Sequence, residues 1–219
     1  MQDAIVVEPK KEAKYTVIWM HGLGADGHDF EAMVPELKVD SLNVRFIFPN
    51  APVRPITLNG GMPMRGWYDI KNITSLDREI DENGVNEAVK RIHAIVDDQI
   101  LAGIPSKNIV LAGFSQGGVI AVISALQENH QLAGVLGLSC YLPNWEYFKK
   151  QKKSANDTTS FQLAHGTVDP VVPFKAGELL FETLRMENLS VDFKSYNMQH
   201  QVCLEEIKMI REWLFEVLN

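Results

Sequence analysis

The chain has 219 residues, 46% of them hydrophobic and 22% charged, with a formal net charge of −7. That is enough for a sizeable core in one α/β domain, and the balance excludes extended disorder. The acidic surplus excludes nucleic acid as a partner, because phosphate binding needs basic patches, and no apolar run reaches the length of a membrane helix.

Residues 1–14, MQDAIVVEPKKEAK, lack the apolar core of a signal peptide. The expectation is a cytoplasmic protein with Cys140 and Cys203 as reduced thiols. Ala4 to Val7 reads as an edge strand and Tyr15 to Met20 as the first strong one. Further strands follow at Val44 to Phe48, Ile109 to Gly113, Ala133 to Leu138, Phe161 to His165 and Val191 to Tyr196. Several are short continuous apolar runs, the mark of strands buried on both faces. Helical spacing links Val85, Val89, Ile92 and Val96, then Leu179, Leu180, Leu184 and Met186, then Leu204, Ile207, Ile210, Leu214 and Val217. The alternation predicts one domain over 1–219, with a mostly parallel sheet and helices on both faces. Its chemistry belongs beyond the carboxyl ends of the strands.

From Pro49 to Gly84 no long element is evident. This stretch, whose polar end begins at Asp77, reads as a substrate-side wall. Lys149, Lys150, Lys152 and Lys153 form a basic run. It is read as a solvated loop in preference to a contact with a lipid headgroup or acidic partner.

The central motif is Gly113-Phe114-Ser115-Gln116-Gly117, between the strand Ile109 to Ala112 and the apolar helix that Val119 to Ile123 begins. By composition alone a G-x-S-x-G match arises in roughly one chain in ten or twenty of this length. The strand-turn-helix setting makes it specific: a tight turn lifts the Ser115 hydroxyl to its apex, and the helix start turns free N–H groups toward developing charge. The alternative is a structural turn with an idle serine.

A serine hydroxyl needs a base, and histidine suits the task near neutral pH. His93 and His130 read as helix-surface residues and His28 as part of a polar loop. His165 and His200 both fit the chain order Ser, then Asp or Glu, then His. His200 is taken as the base because it follows the last strand on the Ser115 side. Asp169, just past a strand and fixed by Pro170, is taken as the acid. A turn-capping role competes for it. Asp157 and Asp192 lie at the wrong strand ends, and His165 becomes structural. After the first strong strand, His21-Gly22-Leu23-Gly24 forms a glycine-rich turn. The backbone N–H groups of Leu23 and Gln116 are assigned as the two oxyanion donors. Gly22, Gly24 and Gly27 also match a dinucleotide fingerprint, but the following strand ends in Phe48-Pro49-Asn50 without the required acid.

These residues together resemble the acyl-protein thioesterase and carboxylesterase family, also called the phospholipase/carboxylesterase family. The resemblance runs nearly end to end. It is carried by HGLGADGHDF (21–30), FIFPNAP (46–52), MRGWYDI (64–70), GIPSKNIVLAGFSQGG (103–118), LSCYLP (138–143), HGTVDPVVP (165–173) and MQH (198–200). It implies an α/β-hydrolase fold, a Ser115–Asp169–His200 triad with donors at Leu23 and Gln116, and hydrolysis of acyl esters, with thioesters of lipidated proteins in some members. It implies no metal and no organic cofactor. It also implies an apolar acyl channel whose matching positions include Ile73, Tyr141 and Val171. The chain departs from the pattern in the Asn197-Met198-Gln199 run, where a glycine is usual. It departs again at Gln201, where a small serine commonly follows the histidine, and at Tyr141, where tryptophan is frequent.

The expected reaction is a two-step acyl transfer through Ser115. Met62, Met64, Trp67 and Ile73 are expected to offer apolar surface to the acyl tail. The alternative for this methionine-rich stretch is ordinary core packing. Transient membrane-surface contact would follow if the tail comes from lipid, and some relatives pair as homodimers. The competing readings are a lysophospholipase acting on lipid esters and a non-catalytic hydrolase-fold binding protein.

Overall fold

The computed structural model describes residues 3–74, 76 and 78–219. Seven strands form the central sheet: β1 (Ala4–Val7), β2 (Tyr15–Met20), β3 (Val44–Pro49), β8 (Ile109–Phe114), β9 (Gly134–Leu138), β10 (Ser160–Gly166) and β11 (Val191–Tyr196). They lie in the order β1-β3-β2-β8-β9-β10-β11. Only β1 runs antiparallel, at one edge. The strand over YTVIWM is buried from its second residue, and β8 and β9 are buried throughout, as continuous apolar runs require when both faces are covered. At the opposite edge β11 alternates: Phe193 stacks on Phe174 and Phe181, while Asp192 and Lys194 face solvent.

Helices cover both faces. One core packs under α3 (Glu82–Leu101), α4 (Gln116–Gln127), the one-turn α5 (Trp145–Phe148) and α6 (Phe174–Met186), and the other under α1 (His28–Glu31), α2 (Val34–Leu37) and α7 (Leu204–Val217). Val85, Val89, Ile92 and Val96 are all buried on α3 as their spacing requires. On α6 and α7 the buried stripe is narrower than expected. Ala176, Gly177, Leu180 and Leu184 face inward, and Leu179, Met186 and Leu204 are exposed. His130 lies in the loop after α4 rather than on a helix surface, and His28 opens the one-turn α1. Lys149 and Lys152 of the basic run pair with Glu187 and Asp157.

The stretch from Pro49 to Gly84 holds two short hairpins, β4 (Val53–Ile56) with β5 (Met62–Arg65), and β6 (Ile70–Ile73) with β7 (Arg78–Ile80). Asp77, named as the start of its polar end, lies outside the described residues. No described helix is long and apolar enough to cross a membrane.

Strand order reverses between β2 and β8: the chain goes from β2 to one neighbour, β3, and later returns to the other side as β8. Such a reversal opens a crevice beyond the strand ends. Met20 pairs with Gly113 at that edge, so the turns carrying Leu23 and Ser115 emerge side by side.

Candidate active site

Ser115 is the turn between β8 and α4, with φ 54° and ψ −120°, a conformation costly for any L-residue. Its neighbours explain how it is held. A Cβ on Gly113 would come within 2.2 Å of Gly117 O, and one on Gly117 within 2.2 Å of Met20 O. Both glycines are therefore required by backbone lying against backbone. From residue 109 to 126 every residue is buried except Ser115. The fold presents one hydroxyl from a segment otherwise closed to solvent.

Asp169 and His200 come from the loops after the adjacent strands β10 and β11. Thr167 N–H donates to Tyr196 O and Val168 N–H to Met198 O, which binds the two loops together. His200 Nδ1 lies 2.6 Å from Asp169 Oδ2. Asp169 Oδ1 accepts from the N–H groups of Val171 and Val172 at 2.8 and 2.9 Å. Its side chain is fully buried, which pushes the carboxyl pKa up. The bonds from His200, Val172 and Val171 outweigh burial and hold it below the ordinary value. The turn-capping role and the pairing with His200 thus coexist in one carboxylate. The His200 ring packs on Phe114, the residue before Ser115, with centroids 4.7 Å apart. Among the described residues no hydrogen bond joins Ser115 Oγ to the ring. His165 is buried in a supporting place, where its Nε2 donates to Val172 O at 2.8 Å, and burial lowers its pKa.

The backbone N–H groups of Leu23 and Gln116 donate to no protein acceptor among the described residues. The Gln116 side chain is occupied: Oε1 accepts from Trp67 N–H at 2.7 Å and Nε2 donates to Tyr68 O at 2.9 Å. His21 supports the Leu23 turn. Its Nε2 accepts from Ala51 N–H at 3.0 Å, so Nδ1 carries the proton and donates to Gly22 O at 2.7 Å. Burial lowers its pKa and keeps the ring neutral. Sequence reading gave neither Gln116's amide nor His21 a role. Both stand inside quoted motifs, but the distant partners that give them a role are backbone atoms of Ala51, Trp67 and Tyr68, in the 49–84 stretch, which carries no pattern that betrays them.

A cavity of about 90 Å³ opens at Ser115, and Leu23, Ile70, Ile73, Tyr141 and Val171 line its apolar walls. Ile73, Tyr141 and Val171 thus stand together beside the serine. Met64 does not line this cavity; its sulfur lies near the Gly24 turn and accepts from Asn59 Nδ2. Trp67 corrects the expectation of an acyl-tail surface. It is fully buried and its indole N–H donates to His21 O at 2.9 Å, so it braces the crevice from behind. Among the described residues no group of three or more His, Cys, Asp or Glu could hold a metal ion.

The phospholipase/carboxylesterase family profile matches residues 1–218. Acyl-protein thioesterase 1 of Yarrowia lipolytica is 37% identical over 220 residues, which cover 97% of this chain and 96% of that one. Acyl-protein thioesterase 1 of Cryptococcus neoformans var. neoformans is 36% identical over 230 residues, with the same coverage. Among solved structures, Arabidopsis thaliana SOBER1 matches with a TM-score of 0.89 at 33% identity, over 94% of this chain and 100% of that one. Zea mays acyl-protein thioesterase 2 matches with a TM-score of 0.88 at 29% identity, over 99% of each. With agreement in sequence and fold along almost its whole length, the chain belongs to the phospholipase/carboxylesterase family.

Proposed function

We propose that this serine hydrolase cleaves acyl esters and acyl thioesters with Ser115 as nucleophile, His200 as base and Asp169 as its orienting acid. The observation that carries the reading is the Ser115 backbone, held at φ 54° between two glycines that no other residue could replace without moving the chain. Strain of this kind persists where the surroundings over-determine it, which in turn favours a functional reading.

Asp169 holds the His200 proton on Nδ1, which leaves Nε2 free to accept the Ser115 proton. Hydrogen bonds between base and nucleophile are often long in free enzymes and tighten around substrate, and the His200 ring already packs on Phe114, the residue before Ser115. Oγ then attacks the carbonyl carbon. The displaced electron pair collects on oxygen, where the free N–H groups of Leu23 and Gln116 and the start of α4 stabilise it. Loss of one such donor typically costs about 3 kcal/mol of barrier. The bond to the alcohol or thiol breaks and the leaving group takes the proton from His200. Water repeats the sequence on the acyl-enzyme and releases the acid.

Similarity to two acyl-protein thioesterases extends the reading to thioesters of lipidated proteins. Exposed Val53, Leu58 and Met62 on the first hairpin support transient contact with a lipid surface. A fluorophosphonate probe tests the core of the reading. It is expected to label the native protein once and to fail on Ser115→Ala; labelling that survives the substitution would remove Ser115 from the mechanism.

A further inference from the structure

Tyr141 lines two cavities. One is the 90 Å³ cavity at Ser115. The other, about 60 Å³, is walled by Leu142, Trp145, Ala176, Leu179, Leu180 and Tyr141 again. The first is almost wholly apolar; the second is of mixed polarity, with Thr183 beside its leucines, Trp145 and Ala176, so a hydrocarbon tail long enough to reach it would still gain apolar contacts there. We propose that the Tyr141 ring is a partition that stops the acyl tail in the first cavity, limiting the enzyme to short acyl groups.

The ring is fixed in three ways. Its hydroxyl shares a 2.8 Å hydrogen bond with that of Tyr68, itself fully buried. The Arg78 guanidinium lies 4.3 Å from the ring centroid. Arg78 Nη2 in turn donates to Val171 O at 2.7 Å, so the loop beyond β10 is tied to the same plug. Burial pushes the Tyr141 hydroxyl up to about 12, so the bond to Tyr68 stays intact across working pH. Swinging the ring aside for a longer tail would break a buried hydrogen bond and uncover a buried cation. A methylene finding new apolar wall contributes about 0.8 kcal/mol, a factor of about four in kcat/KM. Those gains are small beside the cost of opening the plug.

This inference rests on Ser115 as nucleophile, and its test separates the two. With p-nitrophenyl esters of increasing acyl length, kcat/KM of the full chain should rise with each methylene and stop rising at a short acyl group. In Tyr141→Ala the break should move outward by two or more methylenes, giving about a fifteenfold gain relative to the shortest ester. Tyr141→Phe, which keeps the ring, should leave the break in place. Ala176→Leu, which fills the second cavity, should leave the profile of the otherwise native chain unchanged and pull the break back in the Tyr141→Ala background. An unmoved break in a Tyr141→Ala protein that turns over ester would overturn the partition. Selective loss of long-ester turnover in Ala176→Leu alone would do the same, and that arm stands even if Tyr141→Ala does not fold. Failure of Ser115 to react with a fluorophosphonate would instead bring down the hydrolase reading beneath it.

Discussion

Met198 O stands where a side chain on Gly166 would have to be: a Cβ there would meet it at 2.3 Å. Gln199 O would follow at 2.5 Å. The turn that carries His200 therefore lies directly across the end of β10, three residues before Asp169. Any larger residue at 166 must lift that turn. Displacement of a catalytic group by about 1 Å can cost on the order of a hundredfold. Gly166→Ala is expected to fold and to lose about that factor in kcat/KM on a short ester. Retention of activity within a few-fold would mean that the turn can shift without moving the base.

Asp169→Asn keeps the shape of the carboxylate but offers His200 Nδ1 an amide, which can leave the imidazole in the wrong tautomer. It also weakens the acceptor for Val171 and Val172 N–H. A loss on the order of 10³–10⁴ in kcat is expected, as for the acid of comparable triads. His200→Ala should fall at least as far. Steady-state rates near normal in either variant would dismiss the assigned role.

Gln116→Ala removes the partner of two buried backbone groups, Trp67 N–H and Tyr68 O. Each orphaned group costs about 1–3 kcal/mol. The expected result is a lower urea midpoint together with a fall in kcat, because the backbone N–H of the same residue is the proposed oxyanion donor and the side chain helps to fix its position. A midpoint equal to that of the native chain would show that water replaces the amide without cost.

Glu206 on the first turn of α7 is fully buried, and neither carboxyl oxygen has a hydrogen-bond partner among the described residues. Burial pushes its pKa from 4.5 up to about 8. The folded chain then holds a proton that the unfolded chain releases above pH 4.5, so stability falls as pH rises from there to about 8. Glu206→Gln abolishes this slope. Its advantage in thermal midpoint over the native chain should be larger at about pH 8 than at about pH 5. An advantage that does not change with pH would place the ionisation elsewhere.

Much of this architecture is legible before any coordinate. The strands Tyr15 to Met20 and Val191 to Tyr196 have the bounds that the sequence suggests, the first as a buried apolar run and the second as an alternating edge strand. Ser115 is legible because the glycines around it answer to backbone contacts rather than to distant side chains. The hairpins β4–β5 and β6–β7 are not. Their strands have three or four residues, Pro55 pairs with Pro63, and neither proline can donate to a ladder. Trp67 misleads for a related reason. An aromatic residue in an irregular stretch suggests a ligand surface, and nothing local discloses that the His21 carbonyl receives its indole N–H.

The Gln116 amide has a further consequence for selectivity. By clasping the backbone at residues 67 and 68, it makes the wall behind the crevice and the proposed oxyanion donor a single rigid unit. A bulky leaving group cannot be admitted by hinging that wall outward without also pulling the donor from its post. Accommodation falls instead to rotamer changes at the exposed rim residues Leu58, Ile73 and Val171. Breadth of substrate would then be tuned by side-chain size at the mouth, with the reactive centre left as it is.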